Sequence, residues 1–122
     1  MLRESFIALA LLACAVSGAQ AADAAKGKDI FKRCVVCHTV AKDGGNSLGP
    51  NLFGIVGRKA GAVSDFTYSA PMKNSKVVWT EANLTKWVAG PARMIPGTKM
   101  VFPGITSKNQ QADLVAYLAT LK

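Results

Sequence analysis

Histidine, acidic residues and β-strand patterns are what this sequence has least of. Its 122 residues include a single histidine, His38, and 7 acidic residues against 15 Lys and Arg. No segment alternates apolar and polar residues for long, so strands are not predicted. Repeats, low-complexity tracts and interdomain linkers are also missing. These absences favour one small basic domain without a sheet.

The first 21 residues have the pattern of a secretory signal. Arg3 gives a short basic start, and 6–16 form an apolar run, within the roughly 7–15 residues of a signal core. Ala19 and Ala21 then bracket a small-x-small cleavage site. We therefore expect cleavage after Ala21 and export to the periplasm.

The expected mature chain is 22–122, a single domain. Two alternatives to cleavage stay open. The uncharged stretch extends to Ala22, which reaches the lower limit of about 17 residues for a membrane anchor. The stretch "LLAC" that ends at Cys14 also resembles a lipoprotein signal. Cleavage after Ala21 would remove Cys14 and leave only Cys34 and Cys37.

The net charge of +8 indicates an anionic partner. Nucleic acid does not suit an exported protein, and the charges are scattered rather than gathered on one helix. An acidic protein patch or a membrane surface is therefore the expected partner class.

Three segments are predicted to be helical. Asp23 can cap a helix in "AAKGKDIFKRC". Thr80 and Gly90 can begin and end one in "TEANLTKWVAG". Ser107 and Gln110 form a capping box at the start of "SKNQQADLVAYLATLK". The fold class predicted is therefore all-α.

Between the helices, residues 39–78 form a long irregular segment rich in Gly and Pro. An unstructured run of this length argues against a compact domain unless something organises it. A large, flat, apolar cofactor would give such loops a centre to wrap around.

The motif "CVVCH", with Cys34, Cys37 and His38, identifies that cofactor. A zinc site usually needs four ligands, mostly cysteine and histidine, and the expected mature chain offers only three. A thioredoxin-like disulfide would need an alternating strand and helix pattern, which is missing. A disulfide across so small a loop would contribute little stability. The remaining interpretation is covalent attachment of one haem c, with His38 as an axial ligand of the iron.

The second axial ligand cannot be another histidine. Methionine, lysine, a small molecule or an open position remain possible. Three methionines follow the expected cleavage site, namely Met72, Met94 and Met100. Met100 lies in "IPGTKMVFPG", a proline-stiffened and non-helical segment that could hold a thioether at the iron. Met94 and Met72 are expected in core or surface roles.

These residues resemble those of the class I cytochromes c, a family that includes mitochondrial cytochrome c and bacterial cytochrome c2. The resemblance extends from about residue 26 to residue 121. It is carried by the stretches "CVVCHTV", "LGPNLFGIVGRKAG", "FTYS", "IPGTKMVFPGI" and "DLVAYL". The resemblance implies N- and C-terminal helices that cross near Gly27, with long loops wrapped around one covalent haem.

The resemblance also implies roles for single residues. Met100 matches the sixth iron ligand, and Pro50 matches the proline whose carbonyl accepts a hydrogen bond from the ligand imidazole. Phe102 matches the aromatic beside the exposed haem edge. The residues that match those around the haem propionates are Arg58, Tyr68, Trp79 and Thr98.

Three departures from the family pattern stand out. Trp87 replaces a usual tyrosine near the methionine sulfur, and Met72 replaces a usual asparagine in the haem pocket. The ring of basic residues around the haem edge is thinner. Its expected members are Arg33, Arg93, Lys99 and Lys108, while Ser47, Ala92 and Thr106 fall where lysines are common.

The function predicted is that of a soluble, monomeric electron carrier with no enzymatic activity. It would move one electron between membrane-bound complexes and a terminal acceptor, as in a respiratory chain, with peripheral membrane contact only. The expected partners are a cytochrome bc1-type reductase, an oxidase or a photosynthetic reaction centre with acidic docking patches. The alternative is a haem peroxidase or a gas-binding sensor with a labile sixth ligand.

Overall fold

The computed structural model describes residues 21–122 together with Ala10. The predicted signal core and the lipidation alternative at Cys14 lie outside the described residues. Within the described part, no helix is both long and apolar enough to cross a membrane.

Five α-helices organise the described chain, and they confirm the all-α prediction. They are α1 (Ala24–Ile30), α2 (Ala70–Asn74), α3 (Glu81–Ala89), α4 (Pro91–Met94) and α5 (Lys108–Ala119), with a 3₁₀ turn, Phe31–Arg33, directly after α1. Among residues 21–122 the extended backbone pairs only in one isolated bridge, between Lys59 and Val78.

The predicted helix starts are where the sequence placed them. The Asp23 carboxylate accepts hydrogen bonds from the N–H groups of Ala25 and Lys26. Thr80 caps α3 in the same way. Ser107 caps α5 by accepting from the Gln110 N–H at 3.3 Å. Each cap satisfies backbone donors that the first turn of a helix leaves without partners.

The crossing of α1 and α5 depends on Gly27. A Cβ added there would lie 2.6 Å from the carbonyl carbon of Asp113, closer still to its oxygen, and 2.8 Å from Tyr117 Cβ. Phe31 and Tyr117 extend the contact, with ring centroids 5.2 Å apart. The prediction that the terminal helices cross at Gly27 is confirmed.

The prediction that residues 39–78 are irregular throughout is wrong at α2. Ser69 caps this helix by accepting from the Met72 N–H, and Pro71 lies in its first turn. Proline suits the start of a helix because its fixed φ is helical and its missing N–H would have no partner there. The rest of the segment consists of turns, consistent with the prediction.

The core lies between the helices and these turns. Its buried members are Phe31, Ile55, Ala60, Met72, Trp79, Leu84, Trp87, Val88, Ile95, Ile105, Leu114, Val115 and Leu118. Several of them also line the cavity described next, so the core and the candidate site share their walls.

Candidate haem site

The described chain encloses a cavity of about 500 Å³, within the roughly 300–1,000 Å³ typical of cofactor sites. Leu48 and Val101 line it, yet they are 77% and 99% exposed. The cavity therefore opens to solvent beside these two side chains. All ten residues predicted from the sequence to hold or contact the haem line it: Cys34, Cys37, His38, Pro50, Arg58, Tyr68, Trp79, Thr98, Met100 and Phe102.

The two thiols and the imidazole lie on one tight turn that continues α1. Cys34 N–H donates to Phe31 O at 2.7 Å, and the N–H groups of Cys37 and His38 both donate to Cys34 O. The hydrogen bonds hold the thiols on the same side of the backbone as the cavity. Both cysteines are free, so the short-loop disulfide is not formed in this structure.

Burial raises the pKa of the Cys34 thiol to about 11, partly offset by the charge of Arg33. The protonated thiol is therefore the favoured form at neutral pH. Across the described residues, no group of three His, Cys, Asp or Glu side chains is close enough to hold a metal ion. Both cysteines line the apolar cavity, where covalent attachment of an apolar cofactor would place them.

His38 is held in one tautomer by the backbone of Pro50. Its Nδ1 lies 2.7 Å from the Pro50 carbonyl oxygen. A carbonyl only accepts, so Nδ1 carries the proton and Nε2 keeps a free lone pair. Burial lowers the pKa of His38, although the bond to Pro50 opposes this shift. A neutral imidazole with a free Nε2 is the form that binds iron.

Met100 lies in the non-helical segment that follows α4. Its N–H donates to Thr98 Oγ1 at 3.4 Å, and Gly97 adopts a φ of 84° that permits the turn before it. Met94 packs against the core and is not among the cavity-lining residues. Met72 is buried in α2 and lines the cavity. Among residues 21–122, Met100 and Met72 are therefore the two methionines that line the cavity.

Polar groups gather where residues 51–68 face the cavity. The Arg58 guanidinium donates to Asn51 O at 2.8 Å and to Phe53 O at 2.5 Å. Burial lowers the pKa of Arg58, and nearby Tyr68 counteracts this. The Tyr68 hydroxyl accepts from the Val63 N–H at 3.1 Å. These bonds fix donors beside the cavity, as anionic groups at the edge of a bound cofactor would require.

Two tryptophans also line the cavity. The rings of Trp79 and Trp87 have centroids 5.2 Å apart and meet edge to face. Both are buried. An indole can donate a hydrogen bond but cannot accept one, so Trp87 cannot replace a tyrosine hydroxyl as an acceptor.

Of the predicted basic ring, Arg33 and Lys99 line the cavity. The Lys99 ammonium donates to Thr67 O at 2.9 Å, and Arg93 donates to Ala89 O. Lys99 and Arg93 therefore each have a backbone partner, and both keep their positive charge at the surface. Lys108 is the exposed first residue of α5.

Several cavity residues were not predicted from the sequence, chiefly apolar side chains: Phe31, Leu52, Ile55, Phe66, Leu84, Val88, Leu114 and Leu118. Phe66 packs against Tyr68 with ring centroids 4.9 Å apart. Gly49, which contacts the His38 ring, was also missed. The available signal was its place directly before Pro50, in the family-matching stretch "LGPNLFGIVGRKAG".

The family model described as cytochrome c matches residues 24–122 of this chain. The chain belongs to the cytochrome c family. It is 48% identical over 101 residues to cytochrome c of Guizotia abyssinica, which covers 82% of this chain and 91% of that one. It is 40% identical over 117 residues to cytochrome c2 of Blastochloris viridis, covering 96% and 92%.

Solved structures give the same result for the fold. Cytochrome cH from Methylobacterium extorquens superposes with a TM-score of 0.76 at 42% identity, covering 80% of this chain and 98% of that one. Family membership assigns a covalent haem c to the CxxCH motif formed by Cys34, Cys37 and His38. The apolar cavity, the two free thiols and the Nε2 lone pair of His38 all fit that group.

Proposed function

We propose that this cytochrome c carries single electrons, with His38 and Met100 as the two axial ligands of its haem iron. The observation that supports this most is that both side chains line one cavity together with the two haem-binding thiols. Bound haem supplies a one-electron couple between ferric and ferrous iron. A site with both axial positions filled leaves no place for a substrate.

The protein residues set the energy of that couple. A thioether is a weak donor that favours ferrous iron, so the pairing of histidine and methionine raises the reduction potential. The apolar walls act in the same direction, because a low dielectric disfavours the extra positive charge of ferric iron. Pro50 acts through the His38 ring, whose orientation and basicity its carbonyl fixes.

Enzymatic activity is not part of this proposal. Carriers of this family are typically not enzymes, and the peroxidase alternative needs a labile sixth position and a distal base. The single histidine is already used by the Pro50 bond and the proximal position. A filled sixth position therefore favours transfer of electrons over turnover.

We further propose that the protein acts in the periplasm, after cleavage following Ala21. The signal pattern supports this. The match to cytochrome c2 includes 117 of the 122 residues, and therefore most of the N-terminal segment as well. Amino-terminal sequencing of the purified protein should begin at Ala22. A start at Met1, or a lipid-modified Cys14, would exclude this maturation.

The proposed partners are redox complexes with acidic docking patches, such as a bc1-type reductase, an oxidase or a photosynthetic reaction centre. The net charge of +8 and the cations at the cavity, Arg33 and Lys99, support such partners. Electrostatic attraction increases the rate of encounter without requiring a large interface. Redox contacts of this kind bury less than about 1,200 Å².

Optical spectra of the purified holoprotein test the ligand proposal. The reduced form should show sharp bands, and the oxidised form a weak far-red band from methionine bound to ferric iron. Reversible titration should fit a single electron. Spectra of high-spin iron, or ready binding of carbon monoxide by the wild type at neutral pH, would contradict a filled sixth position.

A further inference from the structure

Gly49 lies so close to His38 that the space between them admits no side chain. A Cβ added at Gly49 would lie 2.8 Å from His38 Nδ1, 2.9 Å from Nε2, and closer still to Cε1. Because the two nitrogens are nearly as close as the carbon, the added atom would lie over the face of the ring and not beyond its edge. The Cα of Gly49 therefore faces the imidazole ring with no room for a side chain between them.

Hydrogen bonds fix Gly49 in this place. Its N–H donates to the Cys37 carbonyl at 2.7 Å, and the next residue, Pro50, accepts from His38 Nδ1 at 2.7 Å. Leu52 N–H donates to Thr39 O at 2.9 Å. Residues 49–52 thus lie alongside residues 37–39, and three hydrogen bonds join the two segments in sequence order. A bulkier residue at position 49 could not move away without lengthening these bonds.

We infer that Gly49 is a positioning residue for the axial ligand. The Pro50 carbonyl fixes one nitrogen of the ring, and the bare Cα of Gly49 limits its tilt from one face. Together the two contacts define where the Nε2 lone pair points in the cavity. The inference rests on the proposed role of His38 as an axial ligand.

The chain offers a matched control for this inference. Gly45 is exposed in the same loop, and a Cβ added there would meet nothing within 4 Å. Neither Gly45 nor Gly49 has a positive φ, so alanine introduces no backbone strain at either site. Gly49→Ala and Gly45→Ala therefore differ in the contact with His38 and not in backbone conformation.

Both holoprotein variants would be examined by electron paramagnetic resonance of the ferric form and by the hyperfine-shifted NMR signals of the His38 ring. We expect Gly49→Ala to shift the g values and the ring signals, whereas Gly45→Ala should coincide with the wild type. If Gly49→Ala also coincides with the wild type, or if both variants shift equally, the inference is wrong.

A second measurement decides the question if Gly49→Ala yields no holoprotein. In the ferrous wild-type protein, an NOE between the Gly49 Hα protons and the His38 Cε1 proton is expected. Its absence would show that the two groups do not pack together. A wild-type spectrum without histidine ligation would instead contradict the proposed function, so the two failures are distinguishable.

Discussion

At the residue scale, the reduction potential and the spectrum depend on which methionine reaches the iron. Met94 and Met100 are six residues apart, and both are partly buried against the core. Only Met100 of this pair lines the cavity. Replacing each with leucine keeps side-chain volume and removes the thioether. At Met94 this should cost less than about 1.5 kcal/mol of stability, whereas at Met100 it also removes the proposed bond to iron.

We expect Met100→Leu to lose the far-red ferric band, to bind carbon monoxide in the ferrous form, and to have a lower reduction potential. The potential falls because the thioether no longer stabilises ferrous iron. The fall should lie within the total range of about 0.8 V over which axial ligands set the potential. Met94→Leu should keep the wild-type spectrum and potential. Redox titration and optical spectroscopy of both holoproteins measure this. A Met100→Leu protein that keeps the far-red band and the wild-type potential would exclude Met100 as the ligand.

Single residues also show how much of the site the sequence could reveal. Cys34, Cys37 and His38 were predicted from spacing alone, because haem attachment requires that spacing. Pro50, Arg58 and Thr98 came only from family resemblance, since no local pattern distinguishes them from ordinary loop residues. Gly49 was missed because its role depends on a contact across eleven residues, which a turn signal does not reveal.

At the scale of elements, the three longest helices were predictable, and the short helices α2 and α4 were not. Asp23, Thr80 and Ser107 each precede a helix of seven residues or more, where cap and apolar periodicity agree. Helix α2 has only five residues, too few for periodicity to appear. Its cap, Ser69, and the following Pro71 are the signals that were present.

The contact between α1 and α5 gives a prediction for Gly27→Ala. Alanine in a helix is favoured over glycine by about 1 kcal/mol, but the added methyl would meet the Asp113 backbone, which cannot move aside cheaply. Overpacking of this kind costs about 1–3 kcal/mol. We therefore expect a net loss of stability, measured by guanidinium unfolding with an unchanged m value.

Gly45→Ala is the control for this prediction as well. With nothing near the added atom, it should be neutral or stabilising by about 0.4–1 kcal/mol, because alanine restricts the unfolded chain. If Gly27→Ala instead raises stability by the amount that helix propensity alone predicts, the close crossing of α1 and α5 is not present in solution.

At the scale of the whole molecule, charge should govern how fast the carrier meets its partners. A net charge of +8 attracts an acidic surface, and salt screens this attraction over about 10 Å at 0.1 M ionic strength. We expect the second-order rate with an oxidase or reductase to fall as ionic strength rises. Reaction with an uncharged small reductant should stay nearly constant. A flat profile with the protein partner would contradict electrostatic steering.

Two charge-matched variants locate the docking face. Arg33 lines the cavity, whereas Lys122 lies at the chain terminus and does not. Arg33→Gln and Lys122→Gln each remove one positive charge, so their effects on net charge are equal. Stopped-flow rates at low ionic strength should fall more for Arg33→Gln. Equal reductions would mean that net charge matters and that the cavity edge is not the contact.

The cofactor explains why this sequence folds as it does. The walls of the core are also the walls of a 500 Å³ cavity, so a bound haem completes packing that the side chains leave open. The sequence predicted this need from the long segment with little regular structure, residues 39–78. It could not predict which apolar side chains form the walls, because those residues are brought together only by the fold.

Mass spectrometry of the denatured holoprotein tests the central claim most directly. With haem bound to Cys34 and Cys37 through two thioethers, the unfolded chain should retain the mass of one haem, and acid acetone should extract no pigment. A chain that loses its pigment on denaturation, or that has the mass of the polypeptide alone, would contradict the account.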